Sequence, residues 1–308
     1  MLEIHQKTVL KPISFSGIGL HNGLESEIKI LPASENHGIV FKRVDLIENN
    51  LVEANYKNVS SAVLCTKLSN KFGAEISTVE HLLAALYMTG VDNALIEINN
   101  SEVPIMDGSS KEFVNSINEV GLKNLKAKRK YLKINKKIEF KDGKKSISVE
   151  PDIEGLKINF ELVYSNHIIG KQNNMINFAN PELEEVYNSR TFCLYEDIEE
   201  IKKLGLAKGG SLENAIVVKE EEILNIGGLR NNKEFVNHKI LDLVGDFLLS
   251  GFRILGNVRC VQGGHNLSYL FLKKLFENSS NYIEIEADKV ISTKSILKTS
   301  VNKLAVNA

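Results

Sequence analysis

Cysteine is scarce in this chain: Cys65, Cys193 and Cys260 are the three present in 308 residues. They are odd in number, far apart and never spaced C-x-x-C. That excludes a disulfide framework and a cysteine zinc knuckle, and leaves reduced thiols of a cytoplasmic protein. Charge of one sign is missing too. The 38 basic and 39 acidic residues give a net charge of -1, so no bulk field favours nucleic acid. No apolar run reaches the roughly 18 residues that a membrane-spanning helix needs. The densest stretch, ILDLVGDFLLSGFRIL, is interrupted by Asp242 and Asp246, which leaves room for a transient peripheral contact with a membrane and nothing deeper. The N-terminus, MLEIHQKTVLKPISF, lacks the unbroken apolar core of a signal peptide. Gly209-Gly210 and Gly227-Gly228 fit neither a P-loop nor a G-x-G-x-x-G unit and read as turns.

What is present is ordinary for a globular protein: 43% hydrophobic and 25% charged residues. The length suits two domains of about 150 residues. Strands are expected over 8–15, 26–31, 39–43 and 64–68. A helix over 78–89 follows, opened by Ser77 and Glu80 as a capping box and ended by Gly90. A strand over 94–98 and a helix over 110–120 complete this half. The basic stretch LKNLKAKRK (122–130) reads as a solvated linker, giving domains 1–125 and 126–308. Strands restart over 131–134 and 136–140, and Asp142-Gly143 signals a hairpin into SISVE. Further strands are expected over 156–163 and 215–218. A short helix is expected to start at Asn180-Pro181-Glu182, with Asn180 as cap and Pro181 at the first helical position, and another over 197–206. A long helix over 232–250, the strand NVRCV and a helix over 266–276 finish the chain.

The two halves end alike, as helix, glycine, strand, loop, helix. His81 stands nine residues before Gly90, and Asp242 nine before Gly251. An internal duplication is therefore expected, with the two long helices in equivalent places and the histidines where the halves meet. Strands followed by helices indicate α+β layering rather than an alternating parallel sheet.

Among residues able to do chemistry, His238 and Asp242 are four apart on the long helix and share one face, about 6 Å apart along the axis. Asp246 continues that face. Val236, Ile240, Val244 and Phe247 point elsewhere, toward a core, so the polar stripe faces either solvent or a pocket. Neutral imidazole plus carboxylate suits zinc, and a catalytic zinc takes three protein ligands and keeps one position open. Of the seven histidines, His81 is the other one on an expected helix. Glu80 beside it is able to take a proton from a metal-activated water; the alternative is that Glu80 only closes a capping box and His81 lies on the surface. His265, in GGHN, is either a proton donor to a leaving amine or a turn residue.

Read together, these pieces resemble the UDP-3-O-acyl-N-acetylglucosamine deacetylases, zinc enzymes of the committed step of lipid A synthesis. The match is carried by GIGLHNG (17–23), LCTKL (64–68), STVEHLLAAL (77–86), DNALIEINNSEVPIMDGS (92–109), SRTF (189–192), GGSLENAIVV (209–218), HKILDLVGD (238–246) and GGHN (263–266). The resemblance implies two similar β/α layered domains with a small insert in each and the site between them. It implies that His81, His238 and Asp242 bind zinc, that Glu80 is the general base, and that His265 protonates the amine or stabilises the oxyanion with Asp246 orienting it. Thr191 would donate to the tetrahedral intermediate, Lys239 would meet the nucleotide diphosphate, and Phe192 would pack on the sugar or acyl group. Ile198, Leu206, Gly210, Ala215 and Val217 would line a passage for the acyl chain.

Iron(II) suits the same ligands. Cys65 is expected as a pocket wall. Leu194 and Gln262 depart from an aromatic and a basic residue of well-known members, near the nucleotide side. A cytoplasmic monomer of a Gram-negative-type bacterium, without an acyl dehydratase fused to it, is the expected context. Two rivals are weighed: a zinc hydrolase of another amide or nucleotide sugar, against which the apolar insert argues, and a non-catalytic acyl-nucleotide carrier, against which Glu80, His265 and Thr191 argue.

Overall fold

The computed structural model describes residues 3–180 and 182–292. The first half runs β1 (His5–Val9), β2 (Ile13–Ile18), β3 (Glu25–Pro32), β4 (Ile39–Arg43), β5 (Leu51–Glu53), β6 (Val59–Ser61), β7 (Lys67–Ser69), β8 (Glu75–Ile76), α1 (Glu80–Thr89), β9 (Ala94–Ile98), α2 (Lys111–Val120) and β10 (Leu122–Lys128). The second runs β11 (Lys130–Ile134), β12 (Ile138–Asp142), β13 (Lys145–Pro151), β14 (Leu156–Val163), β15 (Lys171–Asn177), α3 (Glu184–Tyr187), β16 (Phe192–Leu194), α4 (Ile198–Lys203), β17 (Ile216–Lys219), β18 (Glu222–Ile223), α5 (Glu234–Leu248), β19 (Arg253–Val261), α6 (His265–Phe276) and β20 (Tyr282–Glu286). The architecture is α+β. Among the described residues, no helix is long and apolar enough to cross a membrane.

The strand order repeats between the halves. The first sheet is β2-β3-β9-β4-β5, antiparallel except for the parallel pair β9/β4. In the second half β12, β13, β19, β14 and β15 neighbour one another in that order, again antiparallel except for the parallel pair β19/β14. β11 and β20 extend the second sheet. Alternation sets the inward faces: Ile28 and Ile30 of β3 and Leu156, Ile158, Phe160 and Leu162 of β14 are buried while their neighbours are not. Each half also carries a three-stranded sheet, β6-β7-β8 and β16-β17-β18.

Helices α1 and α5 are the centre of the molecule. α1 is buried from Glu80 to Tyr87, and α5 along nearly its whole length. A helix buried all round needs apolar neighbours on every side: α1 finds them in α5 and α2, and α5 in α1, α3, α6, β14 and β15. Gly245 sets how close they come. A Cβ there would lie 2.1 Å from the Glu80 carbonyl oxygen and 3.1 Å from the Ala84 backbone nitrogen. Gly245→Ala must therefore push the helices apart, and we expect it to cost about 1–3 kcal/mol of stability, read by thermal unfolding. A melting curve equal to the parent's would contradict this packing.

Several local expectations are corrected. The stretch 8–15 is two strands, β1 and β2, interrupted where Pro12 offers no backbone donor. Of 64–68 only Lys67 and Leu68 are strand. Leu64 sits at φ 63, in the left-handed region, and turns the chain toward the site. The capping box does not form: α1 starts at Glu80 without a side-chain cap, and the Ser77 hydroxyl donates to the Ser101 carbonyl. The supposed linker 122–130 is largely β10, paired antiparallel with β1. None of its residues is fully buried, so composition hid it. In the second hairpin Asp142 pairs with Lys145, making Gly143-Lys144 the turn. The short helix expected at Asn180 forms later, as α3, and Pro181 lies outside the described residues. β15 and β20 were not expected at all.

Candidate active site

Helix geometry brings His238 and Asp242 onto one face of α5, and the α1/α5 contact brings His81 to them. Their ligand atoms lie within 4.8 Å of one another, and all three residues are buried. Asp242 Oδ1 is 3.3 Å from His238 Nε2 and 3.5 Å from His81 Nε2, with no hydrogen-bond donor of its own. His238 Nδ1 faces the Ser189 carbonyl at 3.0 Å. A carbonyl only accepts, so Nδ1 carries the proton and Nε2 presents its lone pair to the cluster. Burial pushes the His238 imidazole down to about 3, which keeps it neutral. Burial also opposes ionisation of Asp242, but the Lys239 ammonium 2.8 Å from its Oδ2 outweighs it and holds that carboxyl well below the usual range. Two imidazoles and an ionised carboxylate, whose Oδ1 lies between the two rings and lacks a donor, fit a divalent cation with an open position.

Next to this trio are Glu80, His265 and Asp246. His265 opens α6. Its Nδ1 bonds Asp246 Oδ2 at 3.0 Å, and its Nε2 lies 3.6 Å from Glu80 Oε1 and 4.0 Å from Asp242 Oδ2. Burial disfavours the imidazolium, but Asp246 and Glu80 overcome it and raise His265 to about 10. It is a cation at neutral pH, with a proton on each nitrogen. Glu80 is pushed up by burial, against the pull of His265 and His81. A carboxylate whose pKa burial raises, beside a charged imidazole, can take one proton while its neighbour gives another.

Around these groups is a cavity of about 420 Å³ that Glu80, His81, His238, Lys239, Asp242 and His265 line, along with Thr191 and Phe192. A second, mostly apolar cavity of about 370 Å³ shares Leu20, His21, Leu64, Thr191, Phe192 and Cys193 with it. Ile198, Gly210, Ala215 and Val217 line this second space. Leu206 does not: α4 ends at Lys203, the Leu206 amide folds back to the Ile201 carbonyl, and Ala207 takes the lining position. Phe192 packs edge-on against Phe235 and Tyr164. Lys239 Nζ lies 2.8 Å from Asp242 Oδ2 and 5.5 Å from the centre of the Phe192 ring. Asp246 lies behind His265 rather than on the cavity wall. Cys65 is buried beside Leu64, outside the lining, and burial pushes its thiol up to about 12. Leu194 lines the polar cavity, whereas Gln262 turns its amide to the Val163 carbonyl.

Three residues at the site had no role assigned from sequence. Ser189 orients His238 through a carbonyl, which no side-chain pattern reveals. His21 is buried where the cavities meet, with Nε2 unpartnered. Thr66 bonds both Glu80 and Asp246. Each stands inside a stretch that carries the resemblance, so motif membership was the available signal.

A sequence model described as UDP-3-O-acyl N-acetylglycosamine deacetylase matches residues 6–277. A protein of Geotalea uraniireducens is 41% identical over 275 residues, covering 89% of each chain. One of Nautilia profundicola is 39% identical over 291 residues, 93% of this chain and 98% of its own. One of Campylobacter jejuni subsp. doylei is 40% identical over 285 residues, 92% of this chain and 96% of its own. All three carry the name UDP-3-O-acyl-N-acetylglucosamine deacetylase. A match over nearly the whole described chain, together with these relatives, makes this chain a member of the UDP-3-O-acyl N-acetylglycosamine deacetylase family.

Proposed function

We propose that the chain hydrolyses the 2-acetamido group of UDP-3-O-(3-hydroxyacyl)-N-acetylglucosamine to the free amine and acetate, the committed step of lipid A synthesis, with zinc held by His81, His238 and Asp242. The observation that carries this reading is one polar cavity holding that trio beside Glu80 and His265 and sharing a wall with an apolar cavity. When bound, zinc supplies a Lewis acid for the amide carbonyl and makes water acidic enough to lose a proton near neutrality.

The chain's own groups do the rest. Glu80 accepts the proton of the attacking water. His265, charged and fixed by Asp246, faces the developing oxyanion with its Nε2 proton and can pass that proton to the leaving amine. Thr191 adds a hydroxyl donor at the cavity wall. Preorganised donors in a dry site are worth far more than in water. Lys239 holds Asp242 in place and presents a compact cation to a diphosphate. Phe192 gives the sugar or the start of the acyl chain a flat apolar surface.

The apolar cavity accounts for the acyl chain. Each buried methylene contributes roughly 0.8 kcal/mol, so about four of them give roughly 3 kcal/mol, near 200-fold. Acetate release from substrates with and without the 3-O-acyl group tests this: the deacylated nucleotide sugar should lose at least about 100-fold in kcat/KM. Equal rates would remove the acyl chain from the assignment. A chelator should abolish release from both, and added zinc should restore it.

Two domains, 1–125 and 126–308, related by duplication, also belong to this reading; the repeated strand order supports them. So do a cytoplasmic location, a monomeric state, which light scattering reads, and a zinc site whose ligands also suit iron(II), between which metal analysis of the protein as isolated decides.

A further inference from the structure

We propose that Thr66 is a positioning residue that locks the base Glu80 and the His265–Asp246 pair into one unit. The inference rests on the roles given above to Glu80 and His265. Thr66 is 2% exposed and does not line the cavity, so it touches no substrate and acts through its neighbours. Its backbone N–H donates to Glu80 Oε2 at 3.1 Å, and its hydroxyl donates to Asp246 Oδ1 at 2.6 Å. The other oxygen of each carboxylate faces His265: Asp246 Oδ2 at Nδ1, 3.0 Å, and Glu80 Oε1 at Nε2, 3.6 Å. The contacts close a ring through Thr66, Glu80, His265 and Asp246.

Each carboxylate is thereby stopped from rotating, and the imidazole between them keeps both its plane and its distance from the base. The ring also crosses the molecule, since Thr66 and Glu80 come from the first half while Asp246 and His265 come from the second. Thr66 is itself held. The Val79 N–H donates to its carbonyl at 3.5 Å. Its segment turns at Leu64, φ 63, and the segment leading into Glu80 turns at Thr78, φ 56. Non-glycine residues in the left-handed region persist only where surrounding contacts over-determine them. Here two such turns aim the Thr66 amide and the Glu80 carboxylate at each other.

Thr66→Val keeps shape and backbone N–H and removes only the hydroxyl. In the zinc-loaded enzyme we expect it to lower kcat about 10–100-fold while KM and bound zinc stay unchanged, and Thr66→Ser, which restores the hydroxyl, to recover most of the loss. On an Asp246→Ala background Thr66→Val should cost nothing further, because the group it acts through is gone. A kcat within about twofold of the parent overturns the proposal. So do loss of zinc, a change confined to KM, or a full additive loss on the Asp246→Ala background. Thr66→Ala removes the same hydroxyl without adding a buried methyl group and serves if the valine variant does not fold; normal turnover there overturns the proposal equally. Glu80→Gln and His265→Gln are measured alongside. If both turn over normally, the acid–base reading beneath the proposal is wrong; if both fail while Thr66→Val is normal, only the role of Thr66 falls.

Discussion

Glu80→Gln will keep its metal and lose about 10²–10⁴-fold in kcat. The substitution preserves the shape of a buried side chain, and its amide oxygen can still accept from the Thr66 N–H that now bonds Oε2 at 3.1 Å. What disappears is basicity. An amide cannot take the proton of the attacking water, and the two carboxylates nearest to it are already engaged: Asp242 with the two imidazoles and Lys239, and Asp246 with His265 and Thr66. The loss should fall on kcat and leave bound metal near one per chain by elemental analysis. Turnover within tenfold of the parent would move the base elsewhere. Loss of metal would make Glu80 part of the ligand set.

His238→Ala and Asp242→Ala will lose the metal and, with it, deacetylation. Substitutions behind a ligand typically cost 10–100-fold in metal affinity, so removing a ligand outright should cost more than about 100-fold. The two variants differ in what they leave behind. Without His238, the Ser189 carbonyl loses the imidazole N–H that faces it. Without Asp242, Lys239 remains with no counter-charge beside it and His81 and His238 face each other across a gap. Asp242→Ala should therefore also unfold at lower temperature than His238→Ala. Metal analysis after dialysis reads the first expectation and a thermal melt the second. Either variant holding stoichiometric zinc would contradict the trio.

How far the site was legible depended on where each signal sat along the chain. His238, Asp242 and Asp246 recur every fourth residue, and helical periodicity alone puts them on one face. That the face is a pocket and not a solvated stripe was undecided, because the answer depends on α1 covering α5. The STVEHLL stretch gave a misleading local signal: Ser77 and Glu80 have the spacing of a capping box, yet the Glu80 carboxylate is spent on Thr66 and His265. A local rule lost to a tertiary one where function required it. LKNLKAKRK misled in the opposite direction. Its polarity reads as a linker, but β1 needs a partner and β10 supplies it.

The chain by itself determined what its periodicities and spacings can encode. Those are the inward faces of β3 and β14, the i, i+4 pair on α5, the glycine that ends α1 at φ 91, and the likeness between its halves. Only the tertiary structure decided which groups meet. His81 and Asp242 are 161 positions apart by their residue numbers and come within 3.5 Å because Gly245 lets two helices touch backbone to backbone. Thr66 joins Glu80 to Asp246 because a left-handed turn at Leu64 sends its amide and hydroxyl in different directions. The physical reason is that side-chain pattern specifies a face within one element, whereas a ligand set, a carbonyl that fixes a tautomer and a ring of hydrogen bonds all need distances between elements, which packing alone sets.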